Sequence, residues 1–188
     1  MKTSAGILLF RHTPYGPEVF LIHPGGPFWV KKDAWSIPKG EYVPGEPPLQ
    51  AARREFQEET GSPQLFDIPD HEFIPLGTIR QPGGKEVIAW AVEGDFDPDT
   101  LVSNTCLVEW PTGSGRHFTV PEADRGAWYG IQFARKKIFR GQDMFLDRLL
   151  TYLAGEQDPN IPLNPRDDQD PQDPDPRDHD PLDPDPDD

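Results

Sequence analysis

An α/β domain over residues 1–155, followed by a disordered acidic tail over 156–188, is the architecture this sequence predicts. Three observations carry it. Short apolar runs rich in β-formers recur through residues 5–120. One amphipathic helix with clear start and stop signals interrupts them. From Glu156 onward the composition changes abruptly, to 13 acidic residues, 2 Arg and 9 Pro.

Residues 5–10 (AGILLF) and 18–23 (EVFLIH) read as strands around HTPYGP, a run of turn formers, and so as a hairpin. PGGPFW follows as a loop, and 34–38 (AWSIP) is a short extended stretch. Residues 47–60 form the clearest helix. Pro47 is tolerated in its first turn, Gly61 stops it, and Pro63 lies just beyond. Residues 73–80 and 86–92 read as strands about a QPGGK turn, and 93–99 as loop. Residues 105–110 and 116–120 are weaker strand candidates. Residues 127–140 and 144–154 are expected to be helical, with Gly141 between them. The tail has almost no large apolar side chains to offset its ordering entropy. It also lacks the glycine and terminal Glu of an EF-hand calcium loop.

The charge balance is 18 Lys plus Arg against 33 Asp plus Glu, a net −15. The tail supplies −11 of it, which leaves a near-neutral body without the broad basic surface that nucleic-acid binding by counterion release requires. No apolar stretch approaches the ~20 residues of a transmembrane helix. The opening MKTSAGILLFRH holds an apolar run too short for a signal peptide. One cysteine, Cys106, rules out an internal disulfide and suits a reducing, cytoplasmic setting.

The helix carries the chemistry. At ~100° per residue, Leu49, Ala52 and Phe56 share one stripe, which faces the core. Glu55, Glu58 and Glu59 cluster on another face. Like charges at this spacing repel, and they crowd toward the helix C-terminus, where the macrodipole disfavours them. Helix stability alone would not choose this arrangement. A hard divalent cation, Mg2+ or Mn2+, offsets the repulsion. The plainer alternative is a solvated acidic face paired with Arg53 and Arg54.

The surrounding spacing runs Gly40, five residues, Glu46, seven residues, then Arg54-Glu55-Phe56-Gln57-Glu58-Glu59-Thr60-Gly61. This resembles the Nudix box, the signature of the Nudix hydrolases. Every fixed position matches except the last, where Ser62 stands in place of an apolar residue. The resemblance implies an α/β/α sandwich around a mixed sheet over about 1–155. It implies metal ligation by Glu55, Glu58 and Glu59, with Glu55 a candidate general base. Gly40 would offer a carbonyl to the metal or permit close approach of the chain. Arg54 would orient a carboxylate, and Glu46 would pair with that Arg and brace the loop. Family members hydrolyse a nucleoside diphosphate linked to another group, with divalent metal.

Further segments add to this. Trp35-Ser36-Ile37-Pro38-Lys39-Gly40 is similar to the W-x-x-P-K-G run of members acting on diadenosine polyphosphates and diphosphoinositol phosphates; there Lys39 would meet a phosphate as a point charge, the alternative being a surface lysine. Residues 85–91 (KEVIAWA) loosely resemble a strand of the dinucleotide-polyphosphate group, with Trp90 read as core rather than base-stacking. Glu122 lies six residues before Trp128, a spacing at which several Nudix subfamilies place an extra glutamate that ligates metal or acts as base; Glu109 and Glu93 are rivals. His23, His71 and His117 lack paired ligand spacing and read as structural or solvated, although Arg116 and His117 beside the 113–115 loop are a conceivable phosphate contact. Arg135, Lys136, Lys137 and Arg140 read as a wet helix face, or as a receiver for the tail.

The expected function is therefore metal-dependent hydrolysis of a small nucleotide, with dinucleoside polyphosphates favoured. ADP-ribose, nucleoside triphosphates, inositol pyrophosphates and an RNA 5′ end are the alternatives within the enzyme class. A Nudix-fold module that senses a nucleotide without turnover is the alternative outside it, but it is expected to have lost box carboxylates. A scaffold acting through its tail has no positive support. Oligomeric state is not legible.

Overall fold

A computed structural model describes residues 3–81 and 83–156. The tail expected at 156–188 falls, beyond Glu156, outside the described residues. A mixed sheet forms the centre. β1 (Thr3–Thr13) turns into antiparallel β2 (Gly16–Pro24) and pairs on its other edge with parallel β5 (Glu86–Glu93). β4 (Ile74–Arg80) lies antiparallel outside β5, and β8 (Ala123–Gly130) antiparallel outside β2. The short β3 (Lys39–Glu41) also pairs with β1, opposing Ser4, Ala5 and Gly6. Beside this sheet, β6 (Thr105–Glu109) and β7 (His117–Pro121) make a separate two-stranded hairpin.

β1 reads as a continuous apolar run because both of its faces are covered. Leu8 and Phe10 point to one side, with Leu21, Val87 and Ala89, under α2 (Ile131–Lys137) and α3 (Asp143–Leu153). Ala5, Ile7 and Leu9 point to the other, with Phe20, under α1 (Pro48–Thr60) through Ala51, Ala52 and Phe56. Two cores on two faces of a mixed sheet make the expected α/β/α sandwich. Gly61 ends α1 at φ 81°, the left-handed conformation open to glycine.

The helix expected at 127–140 is corrected: residues 127–130 finish strand β8, and α2 starts at Ile131. Ala127 and Tyr129 pack into one core while Trp128 packs into the other. This period-two pattern is masked in the sequence because both faces accept apolar side chains. The extended stretch placed at 34–38 is shorter than expected, being bridges at Trp35 and Ser36, and the regular strand is β3, four residues on from Trp35. No helix among the described residues is long and apolar enough to cross a membrane.

Candidate active site

α1 lies along the sheet with Phe56 fully buried, and its opposite flank turns toward β3. Glu55 projects against Gly40: a Cβ there would fall 1.7 Å from Glu55 Oε2, so only glycine lets the carboxylate seat on β3. The backbone N–H of Lys39 donates to Glu59 Oε2 at 2.7 Å. The strand carrying Lys39 and Gly40 and the helix carrying the glutamates thus meet in one cradle.

Arg54 organises the outer side. Its Nε and Nη2 donate to the two oxygens of Glu46 at 2.9 and 3.1 Å, a bidentate fork. Its Nη1 donates to Glu55 Oε1 at 2.7 Å and to Glu58 Oε1 at 3.2 Å. One guanidinium thereby orients three carboxylates.

Glu122 sits at the single-residue junction of β7 and β8, ahead of a strand where a helix was expected from residue 127. The C-terminal end of α1 fixes it there. Asn104 N–H donates to the Glu58 carbonyl at 2.7 Å, and Glu122 N–H donates to the Asn104 carbonyl at 2.8 Å. The helix's last carbonyls lack intrahelical partners, and this segment satisfies one while bringing in a fourth glutamate from a distant part of the chain.

The electrostatics of these groups are linked. Burial is the main force raising Glu55, and the charges of Glu58 and Glu122 add to it against Arg54. Burial pushes Glu59 up to about 8, with Glu55 and Glu122 adding to the rise and Lys39 opposing it. Burial, then Glu58, raises Glu122. Burial lowers Lys39, with the neighbouring Lys85 adding to the fall. Hydrogen bonding from Arg54 instead lowers Glu46, the partner outside the cluster.

Among the described residues, three or more of these carboxylates do not converge as a closed ligand set. Arg54 stands between Glu55 and Glu58, and the Lys39 N–H holds Glu59. The chemistry of the set still fits a hard divalent cation. It is all oxygen, carries an excess of negative charge that its own cations do not cancel, and includes a glycine cradle.

The other expectations sort as follows. Glu109 accepts a hydrogen bond from the Gly115 N–H at 2.7 Å and is used by its own hairpin turn. Glu93 lies exposed at the end of β5. Trp90 is half-buried against the α1-side core. His71 and His117 are exposed, whereas His23 is fully buried, with Nδ1 2.8 Å from Asp124 Oδ1 and Nε2 2.7 Å from the Lys32 carbonyl. Arg135 and Lys137 pair with Asp147 and Asp33. The PGGPFW run, expected as loop, is followed by two lysines, so Phe28 and Trp29 sit between paired glycines and paired lysines.

A NUDIX domain family model matches residues 2–111, more than half of the chain, and the chain belongs to the Nudix family. A curated relative, the 8-oxo-(d)GTP phosphatase of Mycolicibacterium smegmatis, is 33% identical over 114 residues, covering 53% of this chain and 32% of the relative. The chain therefore spans about a third of that relative's length. An Ap4A hydrolase from C. elegans in a binary complex is 21% identical with a TM-score of 0.54, over 82% of this chain and 99% of that one. The NUDIX domain of Shewanella oneidensis NrtR, complexed with ADP ribose, is 12% identical with a TM-score of 0.53, over 80% and 87%. At those identities the two structures speak for the fold alone.

Proposed function

We propose that this protein is a divalent-metal-dependent pyrophosphohydrolase, acting on a nucleoside diphosphate linked to another group, with dinucleoside polyphosphates as the favoured substrates. The observation that carries the reading is the junction of two distant segments. Glu55, Glu58 and Glu59 of α1 lie within electrostatic reach of Glu122 from the β7–β8 junction, beside Lys39 and Gly40. Glu55, Glu58, Glu59 and Glu122, with the Gly40 carbonyl, are the groups that would hold Mg2+ or Mn2+. When bound, the cation supplies positive charge against the charge that builds on the phosphoryl oxygens.

The chain's own residues do the rest. Arg54 fixes the directions of Glu55 and Glu58. Lys39 presents a compact charge to a phosphate. Glu55 or Glu122, each raised by burial, accepts the proton of the attacking water at a carboxylate oxygen, since a base works best with its pKa moved toward neutrality. A carboxylate outside α1 is useful here because one helix approaches the reaction centre from a single side. A non-catalytic sensing module is disfavoured because all three box carboxylates and their Arg54 brace are present.

The Trp35–Gly40 run favours a dinucleoside polyphosphate, and the M. smegmatis relative supports an oxidised nucleoside triphosphate as the second substrate class. The test is chromatographic detection of the cleavage products of diadenosine tetraphosphate, ADP-ribose, 8-oxo-dGTP and a diphosphoinositol phosphate, with Mg2+ and with chelator. Cleavage of diadenosine tetraphosphate that stops in chelator is expected. Chelator-insensitive turnover, or none on any anhydride, overturns the reading.

A further inference from the structure

Four aromatic rings form a strip across the surface, although they come from three segments far apart in the chain. Between ring centres, Trp110, just past β6, stands 6.2 Å from Phe28. Phe28 stands 4.7 Å from Trp29, and Trp29 stands 5.0 Å from Phe139, just past α2. Phe28 is 50% exposed and the other three rings are half-buried. None of the four belongs to either core. The backbone beneath them is nevertheless well tied. Trp29 and Val30 N–H groups both donate to the Gly26 carbonyl at 3.1 Å, and Phe139 N–H donates to the Trp35 carbonyl at 2.8 Å. Buried His23 joins the Lys32 carbonyl to Asp124 of β8.

Cations rim the strip. Lys31 and Lys32 follow Trp29, and Arg140 follows Phe139. Arg116 is held beside Trp110, whose N–H donates to the Arg116 carbonyl at 2.9 Å. Lys32 Nζ lies 3.1 Å from the centre of the Phe28 ring. The nearby carboxylates are engaged elsewhere: Asp33 with Lys137 and Trp35, Asp124 with His23, and Glu109 with the Gly115 N–H. Among the described residues, no carboxylate pairs with Lys31, Lys32, Arg116 or Arg140. Exposed rings edged by uncancelled positive charge suit an extended anionic chain that carries apolar units at a short repeat. Proline-rich segments dock on aromatic surfaces of this kind because their extended left-handed helix is preformed and loses little entropy.

The chain supplies such a segment. Pro159, Pro162, Pro165, Pro171 and Pro174 fall in one three-residue frame, which is the period of the polyproline II helix. In the same frame Asp167, Asp170 and Asp173 share a second edge. One turn of that helix advances ~9.3 Å, close to two ring steps of the strip, so successive prolines would meet alternate rings while the aspartates face the cations. The reach is sufficient. α3 starts at Asp143, shortly after Arg140, and its 11 residues end at Leu153. The chain therefore leaves the domain about 16 Å from the Phe139 end of the strip. Residues 156–165 as a polyproline II helix span about 31 Å, enough to return along α3.

We propose that residues 159–174 dock on this strip as an intramolecular strap, with prolines on the four rings and aspartates toward Lys31, Lys32, Arg116 and Arg140. The strap goes beyond the proposed activity and does not depend on it. It brings negative charge next to the acidic centre, because the loop that carries Phe28 and Trp29 touches that centre: Gly25 N–H donates to the Glu122 carbonyl at 3.0 Å. Charge attraction carries much of the docking, so salt weakens it.

The test uses the full chain with a nitroxide spin label at Gln169→Cys in a Cys106→Ser background, and reads the tryptophan indole N–H signals by NMR. Gln169 lies on the third edge of the frame, away from the prolines and from Asp167, Asp170 and Asp173. At about 0.01 M salt the Trp29 and Trp110 signals are expected to lose most of their intensity. Trp90 and Trp128, packed against the α1-side core, are expected to lose far less. About 1 M salt should restore much of the lost intensity. Two variants of the labelled chain are each expected to restore both signals. Lys31→Glu/Lys32→Glu removes charge at exposed positions, which leaves thermal unfolding unchanged. Pro162→Gly/Pro165→Gly frees the fixed backbone angles of the segment without touching the domain. No selective loss at Trp29 and Trp110, or a loss that survives either variant, overturns the proposal. Equally strong broadening in a mixture of spin-labelled chain with separate isotope-enriched, unlabelled chain would make the occupant a second copy and overturn the intramolecular strap.

Discussion

The acidic centre and the aromatic strip beside it are neighbours built on opposite plans. The centre stands on regular, buried backbone: a helix packed over the sheet, and a strand hydrogen-bonded to β1. Its side chains are charged, mutually repelling and braced by one arginine. The strip stands on a turn, on a helix end and on a hairpin that pairs with no strand of the main sheet. Its side chains are aromatic and half in water. Chemistry needs groups held to within a fraction of an ångström, so it sits where packing fixes them. A docking surface tolerates segments that vary at little cost to the core. Substitutions in the centre should therefore act on kcat, and substitutions in the strip on KM at low salt, where a docked acidic segment repels an anionic substrate.

The sharpest break would come from the helix. Glu58→Gln and Glu59→Gln keep side-chain shape and remove a charge. Each is expected to lower kcat by at least about a hundredfold, the scale of losing a main electrostatic stabiliser. Near-normal turnover in both, measured with saturating Mg2+, would move the chemistry away from α1.

Glu122 tests whether the β7–β8 junction belongs to the centre or only borders it. Glu122→Gln is expected to lower turnover roughly tenfold to a thousandfold, with melting temperature barely changed. Glu109→Gln, which loses only a hydrogen bond inside its hairpin turn, is expected to be milder. The reverse order would place the extra carboxylate on β6.

These predictions were largely available from the sequence, and the reason is physical. Carboxylates gathered on one face of a helix recur at helical spacing, so Glu55, Glu58 and Glu59 stand out in a linear string. The stripe of Ala52 and Phe56 fixes which face they occupy. Glu122 stands out by its spacing to Trp128, but the strand that follows it does not. The Ala127–Tyr129 alternation reads as helix when both faces of a strand are buried. The strip was not legible at all. It joins Phe28 and Trp29 to Trp110 and Phe139 from distant segments, and no local periodicity brings them together.

A smaller effect separates a centre that binds metal from one that is merely acidic. Burial holds a proton on Glu59 up to about pH 8, above the usual carboxylate range. A cation must displace that proton, so apparent affinity for Mg2+ rises with pH below this value and levels off above it. The slope is expected to approach about tenfold per pH unit between roughly pH 6 and 8. Glu59→Gln, with no proton to displace, should flatten it. A flat profile in the wild-type protein, read by calorimetric titration of Mg2+ from pH 6 to 9, would remove Glu59 from the ligand set.

The smallest effect on catalysis is expected where the centre is left alone and the strip is only uncovered. Residues 156–188 carry −11 of the net charge and 9 prolines, with little apolar surface to bury. The domain before them is already closed: α3 seats Phe145, Leu146 and Leu149 in the core, and Gly155 N–H caps back to the Tyr152 carbonyl at 2.9 Å. Ending the chain at Gly155 should leave turnover within about twofold and melting temperature nearly unchanged, because a segment of this composition has little apolar surface to bury. Any residual effect should fall on KM and grow as salt is lowered. Removing a net charge of −11 eases the approach of an anionic substrate, and that long-range repulsion is largely screened beyond ~10 Å at 0.1 M salt. A KM that is lower in the truncated protein at 10 mM salt and converges with wild type at 150 mM would fit this account. A collapse of thermal stability would instead make the acidic segment part of the folded domain and move the boundary at 155.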